Sequence, residues 1–323
     1  MERRELGALG PVSVLSLGGG GLGQVWGPTD RDEAVATVHA AVAAGIDLLD
    51  LAPAYGRGES ERVVADAFGG KVPAGVRVST KVMLGDPVDE PAPDRIRRSV
   101  ERSLETLQLD RVDLCFLHTN IIDDGRVLRG LGEDQHRRAT SWSTYTGSWR
   151  PTMAALVDEG VVGAWGVTGT GPPATVIAAL RDEPRPAVVQ VIANLLDSGG
   201  NIRRYDESER PRDVIATARE LGIGVLGIRA VAAGAITDAL DRDVSDDPAT
   251  AADFDRCEPV RALARSLGMT TAVLAHRYAL TMLGVDSVVL GVKNRAELEE
   301  CVAAAAAGPL PRDVVHAIDA LAS

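Results

Sequence analysis

The stretch Gly45-Ile46-Asp47-Leu48-Leu49-Asp50-Leu51-Ala52-Pro53-Ala54-Tyr55-Gly56 reads as one strand and its exit turn. Gly45 stands where a helix C-cap belongs. The apolar run from Ile46 to Asp50 is too short for a helix and is bounded by glycine and proline, as a strand buried on both faces would be. It ends on a carboxylate, and a tyrosine follows in the turn beyond it.

The same unit recurs along the chain. Further strands are expected at Val14 to Gly18, Val76 to Lys81, Val112 to His118, Val162 to Thr168, Val188 to Ile192, Val225 to Ile228 and Val288 to Gly291. Helix signals lie between them. Asp30 and Glu33 have capping-box spacing ahead of the stripe Val35, Val38, His39 and Val42. Asp94 precedes Ile96, Val100, Leu104 and Leu107. Pro151 and Pro211 sit where first-turn prolines are tolerated, and Gly222 closes a helix as Gly45 does. Eight strands alternating with helices predict one α/β domain over residues 1–323, a closed (β/α)8 barrel. The leading segment, with Gly7 and Gly10, reads as a β-hairpin plugging the bottom. Long loops are expected after strand four, Thr119 to Arg150, and after strand seven, Ala230 to Arg256. Gly18 to Gly23 matches G-x-G-x-x-G, but a dinucleotide-binding Rossmann turn opens directly into a helix, and here Gln24 to Pro28 intervenes.

Composition narrows the function. The chain has 323 residues, 45% apolar and 25% charged, an ordinary globular balance. A net charge of −12 repels phosphate backbones and argues against nucleic acid. No apolar run reaches the ~18 residues of a membrane span, and the opening Met-Glu-Arg-Arg-Glu-Leu-Gly lacks a signal peptide's apolar core, so a cytoplasmic location is expected. Cys115, Cys257 and Cys301 are scattered and odd in number, which fits neither a disulfide framework nor a zinc knuckle. Lysine is rare beside arginine. Only Lys71, Lys81 and Lys293 occur, and Lys71 is expected at the surface.

In a barrel, chemistry gathers where strands end. Strand two ends at Asp50 with Tyr55 just beyond, strand three at Lys81, strand four at His118. A tyrosine is a poor proton shuttle at neutral pH unless an ammonium favours its phenolate. A carboxylate fixes that ammonium, and a neutral histidine orients a carbonyl oxygen. The four together suit carbonyl reduction with hydride from a cofactor.

The segment Gly45 to Gly56 resembles the signature of the aldo-keto reductase superfamily. Lys81 after Val78-Ser79-Thr80, and His118 closing Asp113-Leu114-Cys115-Phe116-Leu117-His118, are similar to its other catalytic blocks. The resemblance runs from Leu6 to about Glu300. It implies Tyr55 as general acid/base, Asp50 and Lys81 as its tuners and His118 as carbonyl orienter, with an extended nicotinamide dinucleotide bound without a Rossmann fold. By the same resemblance, Gln190 binds the nicotinamide carboxamide and Thr168 offers a hydroxyl, although Gly169 replaces the usual asparagine. Gly166-Val167-Thr168-Gly169 looks more like members that oxidise sugars to lactones. Arg229 stands where a stacking tyrosine is common. Gly291-Val292-Lys293-Asn294-Arg295 resembles the adenosine-side phosphate turn, and Glu300 an adenine-contacting glutamate. Lys293 and Arg295 favour NADP(H) over NAD(H), while Glu297 opposes a phosphate if it points inward.

Aromatic residues are scarce, yet Trp142, Tyr145 and Trp149 cluster in the loop after His118. With Trp26 they are expected to wall the substrate site for a small aldehyde, ketone or aldose. The sequence fixes no oligomeric state. Two rival readings are a Schiff-base aldolase using Lys81 and a nucleotide-sensing subunit without turnover.

Overall fold

A computed structural model describes residues 1–322. Among these, eight parallel strands close into a barrel. They are β1 (Leu15–Gly18), β2 (Leu48–Asp50), β3 (Arg77–Val82), β4 (Val112–Leu117), β5 (Val162–Thr168), β6 (Val188–Ile192), β7 (Gly224–Ile228) and β8 (Ser287–Leu290). Each pairs with the next, and β8 closes on β1 through Val288 beside Leu15 and Leu290 beside Leu17. The helices outside are α1 (Arg31–Ala43), α2 (Glu59–Phe68), α3 (Ala92–Leu107), α4 (Arg150–Asp158), α5 (Pro173–Arg181) and α6 (Pro211–Glu220). They continue with α7 (Pro248–Arg256), α8 (Glu258–Ser266), α9 (Thr271–Thr281), α10 (Arg295–Ala306) and α11 (Arg312–Ala322).

Local signals act as their chemistry requires. Asp30 caps α1 by accepting from the Glu33 amide at 2.8 Å. Gly45 and Gly222 follow α1 and α6 in left-handed conformations that an L side chain would strain. The glycine run after β1 has another cause. A side chain on Gly21 would overlap the Val292 carbonyl, so this turn packs backbone-to-backbone against the exit of β8.

Strand alternation divides the barrel wall into two faces. Outward side chains such as Leu17, Leu49, Val82, Leu117, Val167, Val189 and Leu290 join the helices in the main core. Inward side chains at the lower level form a separate apolar cluster of Leu48, Leu114, Phe116, Val188 and Leu226, closed from below by Leu6 and Val12. Those two belong to the N-terminal segment, whose strands Arg3–Glu5 and Pro11–Ser13 pair antiparallel as the expected hairpin. Asp47 ties it down, accepting from Ser13 N at 2.8 Å and Ser13 Oγ at 3.0 Å. The three cysteines are buried in separate places, Cys115 in β4, Cys257 between α7 and α8, and Cys301 in α10. Burial pushes their thiols up to about 12, 11 and 12 respectively.

Both long connections carry structure of their own. After β4, Asn120–Ile122 and Ala139–Ser141 pair as a small parallel sheet, and the chain from Trp142 runs through a wide helical turn, Tyr145–Trp149, directly into α4. The connection after β7 contains one short helical turn, Ala232–Gly234, and α7. No helix among the described residues is long and apolar enough to cross a membrane.

Candidate active site

One step up from the apolar inner cluster, the next inward residue on β2, β4, β5 and β6 is polar. Asp50 lies two beyond Leu48, His118 two beyond Phe116, Gln190 two beyond Val188 and Thr168 two beyond Gly166. On β3, Ser79 and Lys81 face the same way. The period of two therefore places a polar ring directly on a hydrocarbon floor.

Asp50 is the hub of this ring. Its Oδ2 accepts from Lys81 Nζ at 2.7 Å, while Oδ1 accepts from Ser79 Oγ at 2.7 Å and from Gln190 Nε2 at 2.8 Å. Register brings Ser79 beside Asp50 on adjacent strands. Lys81 is wholly buried and also donates to the Leu51 carbonyl at 2.9 Å. Burial alone disfavours its charge, but Asp50 and Tyr55 outweigh this and hold the ammonium pKa above its ordinary value. On the outer face of β3, Thr80 donates to the buried carboxylate of Glu61 at 2.6 Å, fixing the strand that carries Lys81.

Tyr55 comes from the turn after β2. Its amide closes on the Ala52 carbonyl at 3.0 Å, and its own carbonyl accepts from the Ser60 amide at the start of α2. A side chain on Gly23 would collide with the Tyr55 backbone, so the turn after β1 braces it from the other side. The half-buried Tyr55 ring lies under the Lys81 ammonium, 4.8 Å from Nζ to the centroid. Its hydroxyl stands 3.5 Å from His118 Nε2, the rings perpendicular. Burial pushes the phenol up, Lys81 pulls it down and Asp50 raises it again, so it lies above its ordinary range. The depression expected from Lys81 is thus outweighed by burial, and Tyr55 carries its proton at neutral pH. Burial and the neighbouring ammonium lower His118 to about 3, which leaves a neutral imidazole.

A profile of the aldo/keto reductase family matches residues 14–323. The chain belongs to the aldo/keto reductase family. Within that family, L-galactose dehydrogenase of Arabidopsis thaliana is 30% identical over 307 residues, covering 94% of this chain and 88% of that protein. A D-threo-aldose 1-dehydrogenase from a Pseudomonas species is 26% identical over 318 residues, covering 90% and 88%. In fold, the chain is similar to the glycerol dehydrogenase of Gluconobacter oxydans, with TM-score 0.72 and 24% identity over 99% of this chain and 94% of that one. It is equally similar to an aldo-keto reductase of Bacillus halodurans in its holo form, with TM-score 0.73 and 22% identity over 100% and 97%.

Aldo/keto reductases generally use a nicotinamide dinucleotide, and two features of the mouth fit such a ligand. Thr168 Oγ1, at the end of β5, is buried without a hydrogen-bond partner among the described residues, as are Nε and Nη2 of Arg229 just past β7. Buried polar groups left unpaired are costly, and a polar ligand would satisfy them. Arg229 also holds a left-handed backbone conformation, φ 60°, and lies against Gly200. Gln190 has its amide nitrogen on Asp50.

Other expected contacts are placed differently. Lys293 is already ion-paired with Asp241 and with Glu297, and Arg295 with Glu33. The Glu300 carboxylate accepts from the Thr270 hydroxyl at 2.7 Å, within the cap of α9. Gly291 and Gly20 make room for Trp26, which lies beside the β8 turn with the Arg242 guanidinium 6.0 Å from its ring.

Two expectations are corrected. Tyr145 and Trp149 present no accessible surface and pack with Met153 and Leu156 in the core between barrel and helices. They anchor the α4 rod rather than wall a substrate. Trp142 is half-buried against Tyr145, ring centroids 5.7 Å apart.

Sequence reasoning missed Ser79, Asp241, Arg242 and Glu33. Ser79 alone was legible, since it lies two residues before Lys81 on one strand and so shares its face.

Proposed function

We propose that this protein is an NAD(P)-dependent oxidoreductase that interconverts the anomeric or terminal alcohol of a small sugar or polyol with its lactone or carbonyl. The observation that carries this reading is Tyr55 Oη lying 3.5 Å from a neutral His118 and beneath the ammonium of Lys81. The bound nicotinamide supplies or accepts the hydride. Tyr55 gives its proton to the carbonyl oxygen in reduction and takes the hydroxyl proton in oxidation. Lys81 stabilises the phenolate left behind, and Asp50 keeps Lys81 charged and in place. Neutral His118 directs the substrate oxygen toward Tyr55 without competing for the proton. Thr168, Gln190 and Arg229 offer polar contacts to the cofactor, and Trp26 and Trp142 supply aromatic surface near the mouth.

Sugar-oxidising names among the relatives, and the Gly166-Val167-Thr168-Gly169 strand end, favour aldoses and the oxidative direction. A Schiff-base aldolase needs a neutral lysine amine, whereas Lys81 is tied to Asp50 as a cation. The test is a panel of aldoses, polyols, aldehydes and ketones, followed through the cofactor's absorbance. Oxidation of an aldose to its lactone, abolished in Tyr55→Phe, is the expected result. Cofactor binding without turnover of any panel member would replace this reading with that of a sensing subunit.

A further inference from the structure

Tyr55 and Lys81 reach the site on different pieces of chain, one in the turn after β2 and the other in β3. The 4.8 Å between the ammonium and the ring therefore depends on how those two pieces are held together. Two consecutive residues at the start of α2 hold both. Ser60 takes the turn. Its amide donates to the Tyr55 carbonyl at 3.3 Å and its hydroxyl to the Ala52 carbonyl at 3.1 Å. A side chain on Gly19 would press to 2.9 Å from Ser60 Cβ, so the glycine lets α2 start this close to the barrel. Glu61 takes the strand. Its Oε1 accepts from the hydroxyl of Thr80, the residue before Lys81, at 2.6 Å. Ser103 of α3 closes the group from the far side, 3.2 Å from Thr80 Oγ1 and hydrogen-bonded to the Glu61 carboxylate.

A buried carboxylate is an unfavourable way to fasten a strand. Glu61 is 1% exposed, no cation pairs with it among the described residues, and burial pushes its carboxyl up. An apolar side chain of similar volume is expected to leave the fold at least as stable. What the carboxylate adds, and a leucine lacks, is direction, with two hydroxyl bonds aimed at fixed points of β3 and α3. Thr80 faces outward and Lys81, next along the strand, faces inward, so any shift of Thr80 carries Lys81 with it.

We propose that Glu61 is a positioning residue that sets the Lys81 ammonium against the Tyr55 ring, gripping β3 through Thr80 while its neighbour Ser60 grips the Tyr55 turn. It acts through Lys81 and touches neither substrate nor cofactor. This rests on the oxidoreductase reading above, in which Lys81 stabilises the Tyr55 phenolate.

Glu61→Leu and Glu61→Gln, each made in the full chain and again in a Lys81→Met background, test it. Glu61→Leu should unfold at a temperature no lower than the parent's, because Thr80 and Ser103 still bond each other. Its kcat should fall about tenfold or more, with KM and the dinucleotide Kd within a factor of about two. Glu61→Gln, whose side-chain carbonyl still accepts from Thr80, should restore most of the turnover. In the Lys81→Met background Glu61→Leu should change turnover no further, since the amine it acts through is gone. Parental kcat in Glu61→Leu overturns the proposal. So does an equal loss in the Lys81→Met background, or a loss that comes with a lower unfolding temperature and weaker dinucleotide binding. The Cζ resonance of Tyr55 in protein labelled with ¹³C-tyrosine, identified by its disappearance in Tyr55→Phe, reads the same geometry without turnover. It should move in Glu61→Leu toward its position in Lys81→Met and stay in place in Glu61→Gln. If no substrate of the panel reacts, the oxidoreductase reading fails, and this resonance alone decides whether Glu61 positions Lys81; a resonance that Glu61→Leu leaves unmoved overturns the proposal.

Discussion

Gln190 and Asp50 meet across the barrel interior, Nε2 to Oδ1 at 2.8 Å, although 140 residues separate them in the chain. With Ser79 and Lys81 this gives the Asp50 carboxylate three donors, two of them charge-neutral. Replacing Gln190 by Leu removes one of them from a buried ion, and the expected loss is about 2 kcal/mol of stability together with reduced turnover. Asp50→Asn is more severe, because it strands the Lys81 ammonium in the interior, and about 3–5 kcal/mol is expected. Urea unfolding of both variants checks the order. A Gln190→Leu protein as stable and as active as the parent would mean that the contact carries no weight.

In the proposed mechanism, Tyr55→Phe removes the proton carrier and little else. A fall in turnover of about a hundredfold or more is expected, with dinucleotide affinity within a factor of about two. Lys81→Met should lose activity as well, since nothing then offsets the burial and the Asp50 charge that raise the phenol. Rapid-mixing kinetics and a binding titration on the same samples decide the assignment, which near-normal turnover by the phenylalanine variant would remove.

The pH profile should be one-sided. In the proposed mechanism oxidation needs the Tyr55 phenolate, whose formation is held above the ordinary range, so oxidation should climb into alkaline pH while reduction declines there. His118, lowered to about 3 by burial and Lys81, contributes no limb near neutrality. Its effect appears in stability instead. Because the unfolded chain binds the proton more readily, the contribution of His118 is complete above about pH 6.5 and is lost as pH falls toward 3. His118→Gln should therefore lose less of its unfolding temperature between about pH 7 and pH 4 than the parent does. Parallel losses in the two proteins would contradict the lowered imidazole.

Trp149 is a packing residue, and its truncation should show as one. Trp149→Ala is expected to cost about 3–5 kcal/mol through the cavity it leaves, while the protein that stays folded keeps its parental KM. Calorimetry and steady-state kinetics at low temperature separate the two quantities. A raised KM with unchanged stability would return Trp149 to the substrate wall.

The barrel and its polar ring were legible because both depend on short-range pattern. The strands are short apolar runs, most of them bounded by glycine or proline, and Asp50, His118 and Thr168 lie at the ends of theirs. The aromatic loop misled for a related reason. Tyr145, Trp149 and Met153 are spaced four apart, a helical stripe, but Pro151 suggested that the helix begins only there. In the structure the wide turn at Tyr145–Trp149 carries the helix backward through that point, and the stripe faces inward. The pairing at the β8 turn had no local signal. Lys293 finds Asp241 52 residues away and Arg295 finds Glu33 262 residues away, distances at which a charge in a sequence names no partner.

The three cysteines were noted only as scattered and buried, yet together they make the molecule its own stopwatch. One thiol sits in the barrel wall, one at the α7–α8 joint and one in α10, each shielded from solvent and held in its unreactive protonated form. A thiol reagent added to the native enzyme therefore has nothing to attack until a layer opens. The order in which Cys115, Cys257 and Cys301 become labelled would record which layer breathes first, without a single substitution having been made.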